Sequence, residues 1–167
     1  MSFFYSMDDD DPKRAVRRPM LAFILVTLMV GAGASVFTEP SIPTWYAGLN
    51  RPGFTPPNWL FAPVWTTLYI VMAVAAWRVW RIVGLRSIEM AAYAVQLALN
   101  FAWSGIFFGL HRIGAAVIEI LILDVAVAAT ALFFFRRDRV AGLLFFPYLG
   151  WSLFASGLAY EIWRLNP

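Results

Sequence analysis

Long apolar runs separated by short polar breaks dominate the chain from residue 20 onwards. A bilayer-spanning helix needs roughly 20 mainly apolar residues, and five runs approach or exceed that length. We therefore predict spans over residues 20–37, 59–80, 88–110, 113–135 and 140–163. Together they make an all-α integral membrane protein, a single five-helix domain over residues 20–167. Residues 1–19 form a polar head, which we expect to be solvated and disordered.

A proline-punctuated segment, residues 38–57, separates the first two runs. Pro52, Pro56 and Pro57 each lack a backbone N–H and fix φ, so regular structure cannot continue through them. Connections of this length without a helical pattern are unusual, and they commonly act as lids or binding loops. The pattern therefore predicts a long loop between the first two helices.

The first apolar run permits two interpretations. Basic residues precede it and Ala32, Gly33 and Ala34 lie near its end, as in a cleavable signal peptide. The apolar run is, however, long for the apolar core of a signal peptide. Gly31 and Ser35 also make a small-xxx-small face for helix packing, possible between two copies in a homodimer. We favour a retained helix.

Composition supports lipid as the solvent of this chain. Of its 167 residues 61% are hydrophobic and 14% are charged, more apolar surface than a soluble domain of this length can bury. Cysteine is absent and His111 is the sole histidine, which excludes disulfides and Cys- or His-rich metal sites. We expect no metal and no required cofactor.

Positive charge is distributed asymmetrically. Of the 13 basic residues, all but Arg51, Arg112 and Arg164 fall on the N-terminal side of the predicted membrane. The positive-inside rule therefore predicts a cytoplasmic N-terminus, with the long loop and the C-terminus on the opposite side. Basic residues that flank apolar runs in this way do not form the stripe of a nucleic-acid-binding protein.

Aromatic rings and amides align along the second and third spans. Phe61, Trp65 and Tyr69 recur every four residues and therefore share one helical face. The third span carries a seam at helical spacing that includes both of its carboxamides: Tyr93, Gln96, Asn100, Trp103 and Phe107. Amides in a bilayer core need partners in the bundle interior. They either join helices or orient a ligand in an apolar pocket.

The last span adds a third candidate wall. A helical rise of ~1.5 Å per residue places Trp151 and Ala155 at about the depth of Trp65 and Asn100, below the loop. Pro147 predicts a bend near Tyr148. Leu158, Tyr160 and Arg164 match a loose sterol-contact pattern. An aromatic and arginine anchor at the membrane interface is the alternative interpretation.

Two acids interrupt the fourth span. Glu119 and Asp124 could relay protons or accept a cation, which suggests a small ion-coupled transporter. They are five residues apart, about 140° around a helix, so they do not form one site. Asp124 could instead bond to a neighbouring helix or to the partner copy in a dimer, and Glu119 could reach the interface.

Four ordered motifs resemble one known family. They are W-Y-x-x-L-x-x-P-x-F-x-P-P from Trp45, W-x-x-L-Y from Trp65, N-x-x-W-x-x-x-F-F from Asn100 and F-P-Y-x-x-W from Phe146. Over about residues 20–165 the chain resembles the TspO/MBR family, the tryptophan-rich sensory proteins and translocator proteins once called peripheral benzodiazepine receptors. Leu158-Ala159 and Gly53-Phe54 depart from the pattern of many members.

The resemblance implies a fold and a function. Members are five-helix membrane bundles, commonly dimeric, that bind porphyrins, sterols and synthetic aromatic ligands under the first loop. By resemblance we expect a bacterial envelope protein that binds protoporphyrin IX, haem or a sterol and senses, handles or transports tetrapyrroles. The ligand-binding residues implied are Tyr46, Pro56, Phe61, Trp65, Tyr69, Asn100, Trp103, Trp151 and Ala155. Trp65 and Trp151 resemble a pair assigned to light-dependent porphyrin degradation, which makes an enzyme the alternative.

Overall fold

The computed structural model describes residues 12–167, with side chains from Arg18 onwards. The prediction for the polar head therefore falls mainly on residues outside the described range. Every regular element of the described part is helical. The main helices are α1 Pro12–Ser41, α2 Phe61–Val83, α3 Ile88–Ser104, α4 Ile113–Arg137, α5 Arg139–Leu144 and α6 Phe146–Leu165.

Five helical stretches are long and apolar enough to cross a membrane. They are Arg18–Ser41, Asn58–Val83, Ile88–Gly109, Ile113–Arg137 and Arg139–Leu165. A π-helical turn, Gly105–Gly109, extends α3, while α5 and α6 together make the last span. The prediction of a five-helix membrane bundle is therefore confirmed.

The first helix is longer at both ends than its apolar run. It begins at Pro12 instead of residue 20, and it ends at Ser41 instead of residue 37. At the second end, the Thr38 hydroxyl donates to the Ala34 carbonyl and the Ile42 N–H donates to the Thr38 carbonyl, so the helical bonding pattern continues. Hydropathy marks where a helix leaves the apolar layer, not where its hydrogen bonds stop.

The last span is interrupted earlier than the bend predicted near Tyr148. The break falls at Phe145, and Pro147 lies in the first turn of α6 rather than at the bend itself. A proline lacks the N–H for the bond to residue i−4, and it disfavours helical geometry in the residue before it. The interruption therefore lies on the N-terminal side of Pro147, at Phe145 and not near Tyr148.

Helix α4 packs mainly against α3, α5 and α6, while α1 packs mainly against α2 and α3. At the end remote from the α1–α2 loop, Arg78 pairs with Asp138 at 2.8 Å and Arg137 with Glu89 at 2.7 Å. Asp138 also caps α5, because its Oδ1 accepts from the Val140 and Ala141 N–H groups. These bonds fix α2, α3 and α5 to the end of α4.

Gly142 marks the closest approach of two backbones in this region. A Cβ added there would lie 2.5 Å from the Cα of Phe135 on α4, whereas one added at Gly150 would meet nothing within 4 Å. We expect Gly142→Ala to lower the free energy of unfolding in detergent by about 1–3 kcal/mol through overpacking. Gly150→Ala is the matched control and should leave stability unchanged or slightly higher. Equal effects of the two substitutions would contradict this packing.

Candidate functional site

An apolar cavity of about 530 Å³ lies in the half of the bundle nearest the α1–α2 loop. Helices α1, α2, α3, α4 and α6 and the loop all contribute to it. Its wall contains eight of the predicted ligand-binding residues: Tyr46, Phe61, Trp65, Tyr69, Asn100, Trp103, Trp151 and Ala155. Its volume lies within the range typical of small-molecule sites, roughly 300–1,000 Å³. The structure thus brings together residues from four predicted segments.

Aromatic rings form much of this wall. The rings of Phe61 and Trp151 join α2 to α6 with centroids 5.9 Å apart, and Trp65 lies 5.6 Å from Tyr69. Trp103 stacks on Phe107 at 5.0 Å. Edge-to-face and offset contacts at these separations are favourable, and they hold the rings in fixed orientations. Flat apolar faces from three helices are therefore available to one ligand.

Asn100 connects three helices beside the cavity. Its Oδ1 accepts a hydrogen bond from the Tyr69 hydroxyl at 2.6 Å, and its Nδ2 donates to the Tyr148 hydroxyl at 3.1 Å. The sequence left open whether the amides of this span join helices or orient a ligand. For Asn100, these bonds favour the joining of helices. Gln96 is fully buried, and neither of its amide atoms has a hydrogen-bond partner among the described residues. It does not line the cavity.

The α1–α2 loop covers the cavity with Tyr46. This side chain is buried and packs near Phe107 and Phe108, while the Arg51 guanidinium lies 5.1 Å from its ring centroid. Burial raises the pKa of the Tyr46 hydroxyl above its ordinary value, and the nearby Arg51 charge opposes that rise. Trp45 stacks on His111 at 4.2 Å and thereby anchors the same loop to the α3–α4 turn.

Hydrogen bonds also tie the loop to the end of α6. The Asn50 N–H donates to Asn166 Oδ1 at 3.0 Å, and Asn166 Nδ2 donates back to the Asn50 carbonyl at 2.9 Å. Asn50 Nδ2 donates to the Leu165 carbonyl at 3.3 Å. Ser41, at the end of α1, donates to the Phe108 carbonyl. The loop is consequently held closed at several points.

Some predicted site residues lie elsewhere. Pro56 belongs to the loop but is not part of the cavity wall. Of the sterol-contact pattern, Leu158 is buried in the wall, whereas Tyr160 is 48% exposed and Arg164 pairs with Glu161 at 2.7 Å. The three residues therefore do not line one surface inside the bundle.

The two acids of α4 have different surroundings. Ser152 and Ser156 of α6 both donate to the Asp124 carboxylate, the second at 2.6 Å, so Asp124 bonds to a neighbouring helix. The side chain of Glu119, for which the sequence suggested contact with the interface, lies inside the bundle. It is buried, and neither carboxylate oxygen has a hydrogen-bond partner in the part of the chain described. Neither acid lines the cavity.

One wall of the cavity was missed by sequence reasoning. Helix α1 contributes mainly small or polar residues, including Gly31, Ala32, Ser35 and Glu39. A Cβ at Gly31 would overlap the Tyr69 ring, so glycine allows α1 to lie directly against α2. The spacing of these residues on one helical face was the available signal. Sequence reasoning assigned that face to packing between helices instead.

A double-mutant cycle tests the role of Asn100. Asn100→Leu should lower the free energy of unfolding in detergent by about 1–3 kcal/mol, because it leaves two buried hydroxyls unpaired. The double variant Asn100→Leu with Tyr69→Phe should lower the free energy of unfolding by less than the sum of the two single effects. The difference, which is the coupling energy of the shared hydrogen bond, should be about 0.5–2 kcal/mol. Tyr69→Phe with Thr130→Val is the matched pair, since Thr130 bonds only within α4. Additivity of the Asn100 and Tyr69 effects would contradict the shared hydrogen bond.

Comparison with known proteins agrees with this architecture. The model of the TspO/MBR family matches residues 23–164. The tryptophan-rich protein TspO of Archaeoglobus fulgidus is 43% identical over 148 residues, which cover 88% of this chain and 96% of the relative. The CrtK protein of Rhodobacter capsulatus is 38% identical, with coverages of 87% and 91%. The translocator protein of Sus scrofa is 38% identical, with coverages of 89% and 90%. A five-helix bundle, four ordered motifs and a family match over most of its length show that this chain belongs to the TspO/MBR family.

Proposed function

We propose that this integral membrane protein binds a planar apolar ligand of the tetrapyrrole or sterol type in the cavity beneath its loop. Its role is the sensing, handling or transport of such ligands, and its loop end faces away from the cytoplasm. The observation that carries the proposal is the cavity wall, in which Trp65, Trp103 and Trp151 converge from three helices.

The chemistry of the wall suits a flat and largely apolar molecule. Indole and phenyl faces gain dispersion and stacking energy against a flat ring system, and they bury more area than aliphatic side chains. A haem iron would find no thiolate, because the chain lacks cysteine, and His111 is outside the wall, where it stacks on Trp45. A tetrapyrrole would therefore be held by stacking and shape rather than by a protein–iron bond.

The names of the relatives agree with a ligand-handling role. One relative, from Cereibacter sphaeroides, is named a tryptophan-rich sensory protein, and the relative from Sus scrofa is named a translocator protein. Sensing and translocation both require reversible binding. A cavity enclosed by rings and covered by a loop that is hydrogen-bonded at several points provides a site for such binding.

Replacement of two wall indoles tests the proposal. The double variant Trp65→Phe with Trp151→Phe should bind protoporphyrin IX roughly tenfold more weakly in nanodiscs, since it loses stacking area worth about 1–2 kcal/mol. Binding is measured from the absorbance of the porphyrin, so that the loss of indole fluorescence does not enter the readout.

The matched control removes two indoles outside the cavity. Trp59 and Trp163 are 71% and 46% exposed and are not part of the wall, so Trp59→Phe with Trp163→Phe should leave the affinity unchanged. An unchanged affinity in the cavity variant, or an equal loss in both variants, would remove these rings as the binding surface.

A second candidate function is the light-dependent degradation of a bound porphyrin. The position of Trp65 and Trp151 in the same cavity wall favours it, because indoles can act as radical partners for an excited ring. Illumination of the purified protein with protoporphyrin in air, with dissolved O₂ as the oxidant of the ring, should then give a product that forms more slowly in the Trp65→Phe, Trp151→Phe variant. Bleaching at the rate of protein-free nanodiscs would exclude this activity.

A further inference from the structure

Five of the seven hydroxyl groups of the cavity wall have already used their protons, the exceptions among the described residues being those of Tyr46 and Ser104. Ser35, Thr38 and Thr66 donate to backbone carbonyls of their own helices, at 2.8, 3.2 and 2.8 Å. Tyr69 donates to Asn100, and Ser152 donates to Asp124. A hydroxyl has one proton to donate and two lone pairs with which to accept. What these groups offer to a ligand is therefore hydrogen-bond acceptance.

The charged group of the wall is also a hydrogen-bond acceptor. Among the described residues that line the cavity, Glu39 is the sole charged one, and its carboxylate is an acceptor. Ser35 and Glu39 are one helical turn apart on α1, and Thr38 lies beside them, so the three residues belong to the same cavity-lining face of the helix, with Glu39 at its exposed end. The acceptor groups of α1 thus form a local patch that we call the α1 acceptor patch, made of Ser35, Thr38 and Glu39.

The remaining donors of the wall lie outside α1, and those that no bond among the described residues uses include the hydroxyls of Tyr46 and Ser104 and the indole N–H of Trp65. The indole N–H groups of Trp103 and Trp151 are covered by surrounding atoms, and Asn100 Nδ2 is bonded to Tyr148. Asn58, at the start of α2, supplies an amide that can both donate and accept. The Arg51 guanidinium lies over the Tyr46 ring, and Arg51 is not a wall residue.

We propose that the α1 acceptor patch selects planar apolar ligands whose polar end donates hydrogen bonds and carries no negative charge, with Glu39 as the residue that determines this specificity. A protonated amine satisfies the patch best, because it meets the carboxylate and both hydroxyl oxygens. A hydroxyl group satisfies it in part. An ionised carboxylate finds acceptors and a like charge instead of donors, and pays for its desolvation without compensation.

The inference rests on the proposed function, because it presupposes that a flat apolar body occupies the cavity. It also refines that function. A tetrapyrrole that carries ionised carboxylates would have to keep them outside the α1 acceptor patch, whereas its neutral ester, or a flat alcohol or amine, can place its polar end against Glu39.

Three probes with one aromatic body test the selection. Pyrenemethylamine, pyrenemethanol and pyrenecarboxylate differ mainly in the polar end, and pyrene fluorescence reports their binding to the protein in nanodiscs of zwitterionic lipid. Empty nanodiscs correct for partition into lipid. The native protein should bind the amine most tightly and the carboxylate least tightly at neutral pH. Glu39→Gln should reduce the amine-to-carboxylate affinity ratio by about threefold to fivefold, the size expected for a partly solvated ion pair.

Two variants control for charge alone. Glu161→Gln removes an acid from the loop end of α6, outside the cavity, and should leave the ratio unchanged. Glu39→Asp keeps the charge and should retain most of the preference. A ratio that is the same in Glu39→Gln as in the native protein, or a native preference for the carboxylate, overturns the inference. If none of the three pyrenes and no porphyrin binds, the proposed function itself fails, which is a distinguishable result.

Discussion

A membrane interior offers no water, so a polar group buried in this bundle is satisfied only by another side chain or by the backbone, and Gln96 and Glu119 are exceptions that lack such a partner among the described residues. Asn100 shows how strongly that constraint organises the structure. Its amide bonds to Tyr69 on α2 and to Tyr148 on α6, and these bonds fix the mutual rotation of α2, α3 and α6. The indoles at neighbouring turns, Trp65, Trp103 and Trp151, are turned toward a common space as a result. The cavity follows from the way in which one amide is satisfied.

The same constraint explains how the cavity is covered. Backbone groups of the α1–α2 loop lie beyond the helices and need partners of their own. The reciprocal bonds of Asn50 with Asn166 supply them, and the stack of Trp45 on His111 adds an apolar contact. Both interactions join the loop to other helix ends and, together with the short 3₁₀ helix Tyr46–Gly48, they hold Tyr46 over the cavity.

The sequence predicts the parts of this architecture that depend on periodicity. Apolar runs give the five spans, and four-residue spacing gives the ring face of Phe61, Trp65 and Tyr69. Contacts that depend on the choice among several partners are not predictable in this way. Asn100 could have bonded to many polar groups, and only the packing of α2 and α6 selects Tyr69 and Tyr148. The α1 wall was overlooked because its residues are small, and small residues serve helix packing and cavity lining equally well.

Helix α1 differs from the other walls in where it is hydrogen-bonded to its neighbours. The α1 residues that we propose to recognise the ligand are therefore not the ones that stabilise the bundle. Below the cavity, Thr27 shares a hydrogen bond of 2.6 Å with Tyr93 of α3, and above it Ser41 bonds to the Phe108 carbonyl. Between these anchors, Ser35 and Thr38 bond only to carbonyls of α1 itself. Glu39 can therefore change without loss of a bond between helices, whereas Asn100 cannot. The ligand selectivity that we propose is thus adjustable along α1, while the aromatic walls and Asn100 are held by contacts between helices.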